Sequence, residues 1–240
     1  MQSDTLEVRL PGSAVLLFTW AAGAVDALTY LSAHVFTANM TGNTVLLGLS
    51  IGRGSSGEAT RALVALAGYI VGLALGALLP CETGSARSRR AFLLTAAMLE
   101  AALLAAFAAL WPVSASRPEG HAVGAVLIAV SGVAMGLQSV LVRRFKLPGI
   151  VTTYITGTIT SLVTALTDRL RGRHEPAATD ELEARMKLQA QVFVIYAVAA
   201  LVSGALYSRW HAAVGALPIL AVLLAAVLAL RRNQGLAIRD

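Results

Sequence analysis

Apolar residues run almost unbroken through six stretches of the chain: Ala14 to Ala33, Ala62 to Leu79, Ala91 to Trp111, Ala122 to Val142, Ala190 to Tyr207 and Ala213 to Leu230. Each approaches the ~20 residues that a helix needs to cross a hydrocarbon core, which predicts six spanning helices. Two shorter stretches, Val35 to Ile51 and Ile150 to Thr167, are apolar enough to enter a membrane but rich in Thr, Ser, Asn and Gly. The first, "VFTANMTGNTVLLG" at residues 35–48, holds Thr37, Asn39, Thr41, Asn43 and Thr44. Non-helical backbone at membrane depth survives only where protein buries it or a wet cavity adjoins it. The pattern therefore predicts, in each stretch, an extended approach (Val35 to Met40, Ile150 to Ile155) and then a short helix starting near Thr41 or Thr156. Gly42 and Gly157 permit a tight turn there, and Thr and Asn oxygens can cap the first amides.

The two polar stretches also lie on one another. Thr37 falls on Thr152, Thr41 on Thr156, Gly42 on Gly157 and Asn43 on Thr158. Upstream, "AGAVDALTYL" matches "SGVAMGLQSV" with Gly23 on Gly132; downstream, "LGALLP" resembles "SGALYS" with Gly76 near Gly204. This order predicts an internal duplication, repeat one at about 14–111 and repeat two at about 122–230, with a charged cytoplasmic linker at about 169–189. The whole chain, 1–240, reads as one membrane domain.

Charge arbitrates the topology. If both short segments enter and leave on one side, 15 Lys and Arg residues fall on the cytoplasmic face and 4 outside; if both cross fully, the split is 12 to 7. The positive-inside rule prefers the first arrangement. The expected fold is thus all-α: six transmembrane helices plus two re-entrant short helices, built as two inverted repeats, with both termini cytoplasmic. Two short-helix N-termini would then face each other near the midplane, their free N–H groups favouring an anion, a carboxylate or a dipolar solute.

Composition agrees on the solvent. The chain is 57% hydrophobic and 13% charged, against roughly 25% charged in soluble domains. Its net charge of +6 reads as topology and attraction to anionic lipid, with no nucleic acid implied. The N-terminus lacks the pattern of a signal peptide, so the first apolar run is expected to stay in the mature protein. A single cysteine, Cys81, excludes an intramolecular disulfide. No enzyme motif stands in its proper context: "GRGSSG" at residues 52–57 has no βαβ unit around it, and the four histidines are scattered. No catalytic residue, cofactor or metal is expected.

The candidate solute pathway comprises Asp26, Thr37, Asn39, Thr41, Gly42, Asn43, Gln138, Thr152, Thr156, Gly157 and Thr158. Intramembrane acids mark proton and ion sites, which makes Asp26 and Glu100 the candidates for coupling. For Asp26 the sequence leaves two roles open, a proton site or gate and a ligand for backbone amides freed by the turn; its counterpart in repeat two is Met135, with Gln138 three residues on. Gly68, Gly72 and Gly76 clear one helix face for close packing; His34, Tyr69, Tyr154 and Tyr196 could hydrogen-bond a solute but read first as interfacial groups near helix ends. A transporter or channel for a small solute is the leading function; a non-transporting module that partners or regulates another complex is the second. The lipid bilayer and a small-molecule solute are the expected partners, and so small a core is compatible with a homodimer.

The pieces "GAVDALTYL", "VFTANMTGN" and "TTYITGT" resemble the YoaK family of bacterial membrane proteins, over about residues 12 to 231. The resemblance implies a multi-pass protein of the bacterial inner membrane and carries no activity with it.

Overall fold

The computed structural model describes residues 10–81, 85–116, 121–145, 155–171 and 179–237. In chain order its helices are α1 (Gly12–Ala33), α2 (Met40–Gly52), α3 (Ser56–Leu78), α4 (Ala86–Ser116), α5 (His121–Arg144), α6 (Ile155–Leu170), α7 (Thr179–Tyr207), α8 (His211–Val214) and α9 (Ala216–Ala237). Among the described residues the architecture is all helical.

Five helices are long and apolar enough to cross a membrane: α1, α3, α4, α5 and α7. The sixth apolar run does not form one uninterrupted helix. It is divided at Gly215 into the single turn α8 and a shorter apolar helix, Ala216–Arg231, within α9. Pro218 has no amide to donate and sits in the first turn of α9, where none is required. The linker expected at 169–189 is also partly helical, since α6 runs to Leu170 and α7 begins at Thr179.

Burial separates centre from periphery. In α1 and α5, 67% of the apolar window is buried inside the protein, against 17–39% in α3, α4 and α7. The outer helices turn Ile70, Leu78, Met98 and Leu201 outward, as chains do whose solvent is hydrocarbon.

Two clusters fix the helix directions. At one end, Phe92 at the start of α4 meets Phe145 just past α5 with ring centroids 6.3 Å apart. There Arg144 lies 4.6 Å over the Phe92 ring and donates to the carbonyls of Leu79 (2.8 Å) and Ala77 (2.7 Å), satisfying the open C-terminus of α3. Leu10 and Ala14 belong to the same core as Phe92 and Phe145. At the other end, Phe107 and Trp111 of α4 pack with Leu28 of α1, Leu127 of α5 and Val214 of α8. Hence α1 and α4 run from the Arg144 end to the Trp111 end, and α5 runs back.

Close backbone packing sets the remaining pairs. Gly23 of α1 faces α7 so closely that a Cβ there would stand 2.6 Å from the carbonyl oxygen of Tyr196. Gly68 of α3 faces Ala129 of α5 in the same way, at 2.8 Å from its carbonyl oxygen. The successive pairs Gly68 with Ala129 and Gly72 with Val133 advance together, so α3 is parallel to α5. Gly12 beside Leu188 and Gly23 beside Tyr196 make α1 parallel to α7. Beyond these, α4 packs on α5 and α9, α9 on α1, α2 on α3, and α6 on α7.

Candidate functional site

The break between α1 and α2 is where the fold departs from a plain helical bundle. α1 ends at Ala33, and His34 adopts a left-handed conformation (φ 56°, ψ 33°) with its N–H on the Tyr30 carbonyl at 2.9 Å. A non-glycine residue there costs about 1 kcal/mol, and the turn sends the chain back along α1. The Phe36 ring stacks on Tyr30 with centroids 5.0 Å apart. The backbone of residues 37–39 then arrives beside Asp26, seven residues before the end of α1, or about 10 Å back along its axis.

Asp26 receives that backbone. One carboxylate oxygen, Oδ1, accepts from the amides of Thr37 and Ala38, both at 2.7 Å. Oδ2 accepts from the amide of Asn39 at 3.1 Å and from the hydroxyl of Tyr196 on α7. Four donors match the acceptor capacity of one carboxylate. Three amides that no helix satisfies are thereby satisfied inside the protein, where leaving them bare is costly.

The "ANMTGN" residues divide the remaining work. Asn39 caps α2, its side-chain oxygen accepting from Gly42 N–H at 3.2 Å. Asn43, fully buried, ties both backbone groups of Phe36: its Oδ1 accepts from the amide at 2.9 Å and its Nδ2 donates to the carbonyl. Gly42 is required by the Phe36 ring, from which a Cβ would stand 2.8 Å. Thr37 is buried, and its Oγ1 has no partner among the described residues. Asn39, Thr41 and Thr44 are exposed on α2.

The other predicted residues lie elsewhere. Gln138, fully buried on α5, donates to the Phe18 carbonyl of α1 at 3.0 Å; Phe18 precedes Asp26 by two helical turns, so this link between the central helices is separate from the break. Glu100 sits on the buried stripe of α4 and is fully enclosed. Thr156, Gly157 and Thr158 fall in the first turn of α6, while Thr152 lies outside the described residues. Among the described residues no cluster of His, Cys, Asp or Glu could hold a metal ion.

The residue that sequence reasoning did not connect to the site is Tyr196, the fourth donor to Asp26. No local pattern marks it, because its partner is 170 positions away.

Five long apolar helices in an all-helical architecture define a multi-pass helical membrane protein. The chain belongs to the family described as protein of unknown function (DUF1275), which it matches over residues 14–230. It is 38% identical over 155 residues to the UPF0700 transmembrane protein YoaK of Bacillus subtilis (strain 168), a match covering 64% of this chain and 66% of that protein. No solved structure matches it.

Proposed function

We propose that the protein is a transporter or channel of the bacterial inner membrane that moves a small polar solute between the N-terminal ends of α2 and α6. One observation carries this reading: the break between α1 and α2 reaches the depth of Asp26, and Asn39 and Thr41 are exposed there. An exposed amide and hydroxyl at that depth require water or a solute, since lipid offers them no partner. Asp26 already occupies three of the amides at the entrance to α2. That favours a dipolar or neutral polar molecule over the anion or carboxylate also expected from the sequence, because a free anion would meet the carboxylate of Asp26.

Six crossings, two re-entrant segments and an inverted repeat are part of the proposal. What supports them is the exchange of α1 with α5, α2 with α6, α3 with α7 and α4 with α9. Under it, α3 on α5 becomes α7 on α1, α4 on α5 becomes α9 on α1, and α2 on α3 becomes α6 on α7. The alignment that sets Gly23 on Gly132 and Gly76 on Gly204 also sets Tyr196 on Gly68. Gly23 packs on Tyr196, and Gly132 packs on Gly68. The Arg144 end is the cytoplasmic one by the positive-inside rule, with both termini on that side.

Reconstituted protein tested for uptake of small zwitterions, neutral polar solutes and carboxylates decides the matter. Solute-specific uptake lost in Thr41→Val, which alters an exposed side chain, is the expected result. The hydrogen bonds of the Asp26, Asn39 and Asn43 side chains to the backbone of the break favour the second reading, a non-transporting membrane module. Absence of uptake across the panel by a folded, monodisperse protein overturns transport in favour of that module.

A further inference from the structure

We propose that Glu100 is a proton-binding site in the centre of the bundle, holding a proton at rest and exchanging it with water. Its use as the coupling proton rests on the transport reading above; the bound proton and its exchange do not.

Glu100 occupies the middle of the α4 stripe formed by Leu93, Ala96, Ala97, Leu104 and Phe107, all buried. It is itself fully enclosed, and neither carboxyl oxygen has a partner among the described residues. α4 packs on α5, α8 and α9. Between Leu127 and Val142 α5 carries no ionisable residue, nor does α9 between Ala216 and Leu230. His211 of α8 belongs to the Trp111 end, and Arg143, Arg144 and Arg231 lie at the opposite ends of their helices. On α4 itself Glu100 is the sole ionisable residue between Ala91 and Trp111.

A bare carboxylate so placed, with no counter-charge and no donor among the described residues, costs several kcal/mol even after relaxation. A proton removes most of that cost. The metal alternative fails on ligands, for among the described residues no group of three or more His, Cys, Asp or Glu side chains comes together. The neutral acid still has one donor and one acceptor to satisfy, and buried groups of this kind are satisfied by water when protein offers nothing. A water that reaches Glu100 also gives its proton a way out.

The contrast with Asp26 separates the two acids by function. Asp26 is surrounded by four donors and holds backbone in place. Glu100 holds no group among the described residues, so gain or loss of its proton breaks no hydrogen bond among them.

Infrared spectroscopy of the full-length protein in liposomes at neutral pH tests this directly. The expected result is a carbonyl stretch of a protonated carboxyl that moves when all glutamates carry carbon-13, disappears in Glu100→Gln, and shifts within minutes in D2O. Should Glu100→Gln fail to fold, the isotope and D2O shifts of the wild type decide alone. Absence of a glutamic acid band, or a band unmoved after hours in D2O, overturns the proposal. The band needs no solute, so a protein that transports nothing yet shows it overturns the transport reading and leaves this one standing.

Discussion

The hydroxyl of Tyr196 donates to the carboxylate of Asp26 across the α1–α7 contact, joining residues that stand 170 positions apart. The same carboxylate holds the amides of Thr37, Ala38 and Asn39, so a side chain of α7 completes a backbone turn that belongs to the first hairpin.

Removing the hydroxyl isolates that link. Tyr196→Phe keeps the ring and loses a hydrogen bond to a carboxylate, for which about 1.5–3 kcal/mol is typical. A lower midpoint of thermal unfolding in detergent is expected. A double-mutant cycle with Asp26→Ala should be strongly non-additive, because the two residues share one bond; strict additivity would mean that the contact contributes nothing.

Asp26→Asn should act locally on the backbone. The new amide turns a donor toward Asn39 N–H while one acceptor remains for Thr37 and Ala38. A buried donor left unpaired costs about 1–3 kcal/mol. Faster hydrogen exchange is expected at residues 37–39 before any change in α3 or α5, and exchange unaltered there would refute this account of the turn.

Glycines of one helix should respond with opposite signs. A Cβ at Gly42 meets the Phe36 ring at 2.8 Å, whereas at Gly48 it meets nothing within 4 Å. Gly42→Ala is expected to destabilise by about 1–3 kcal/mol through overpacking, and Gly48→Ala to stabilise by up to about 1 kcal/mol through helix propensity. Chemical denaturation of the two variants side by side compares them.

The proposed topology puts Ser55 and Ser88 on opposite membrane faces, with α3 between them. In a background with Cys81→Ser, a membrane-impermeant maleimide added outside intact cells should label Ser55→Cys and spare Ser88→Cys. Labelling of both would leave α3 uncrossed and remove the six-span reading.

Much of the framework is legible in the sequence because hydrocarbon imposes a length and a polarity on whatever crosses it. The apolar runs at Ala14 to Ala33 and Ala122 to Val142 sit within two residues of the ends of α1 and α5. The polar density of "VFTANMTGN" marks the break at residues 34–39, since Asn39 and Asn43 act on backbone within seven positions of themselves. What escapes is whatever depends on distant parts of the chain. Tyr196 finds Asp26 only once α7 packs on α1, and hydropathy carries no sign of the division at Gly215. For Asp26 the sequence supplied two roles, and only three-dimensional neighbours show it holding amides.

The span from Asp26 to Tyr196 has a meaning for biosynthesis. At about 5–20 residues per second, roughly 10–30 s of translation separate the two ends of their hydrogen bond. Through that interval the first hairpin sits in the insertion machinery with its carboxylate short of one donor, and α2 stays incompletely fastened until the seventh helix emerges. A chain halted before α7 would carry an early hairpin without its fourth donor, and the arrival of Tyr196 completes it.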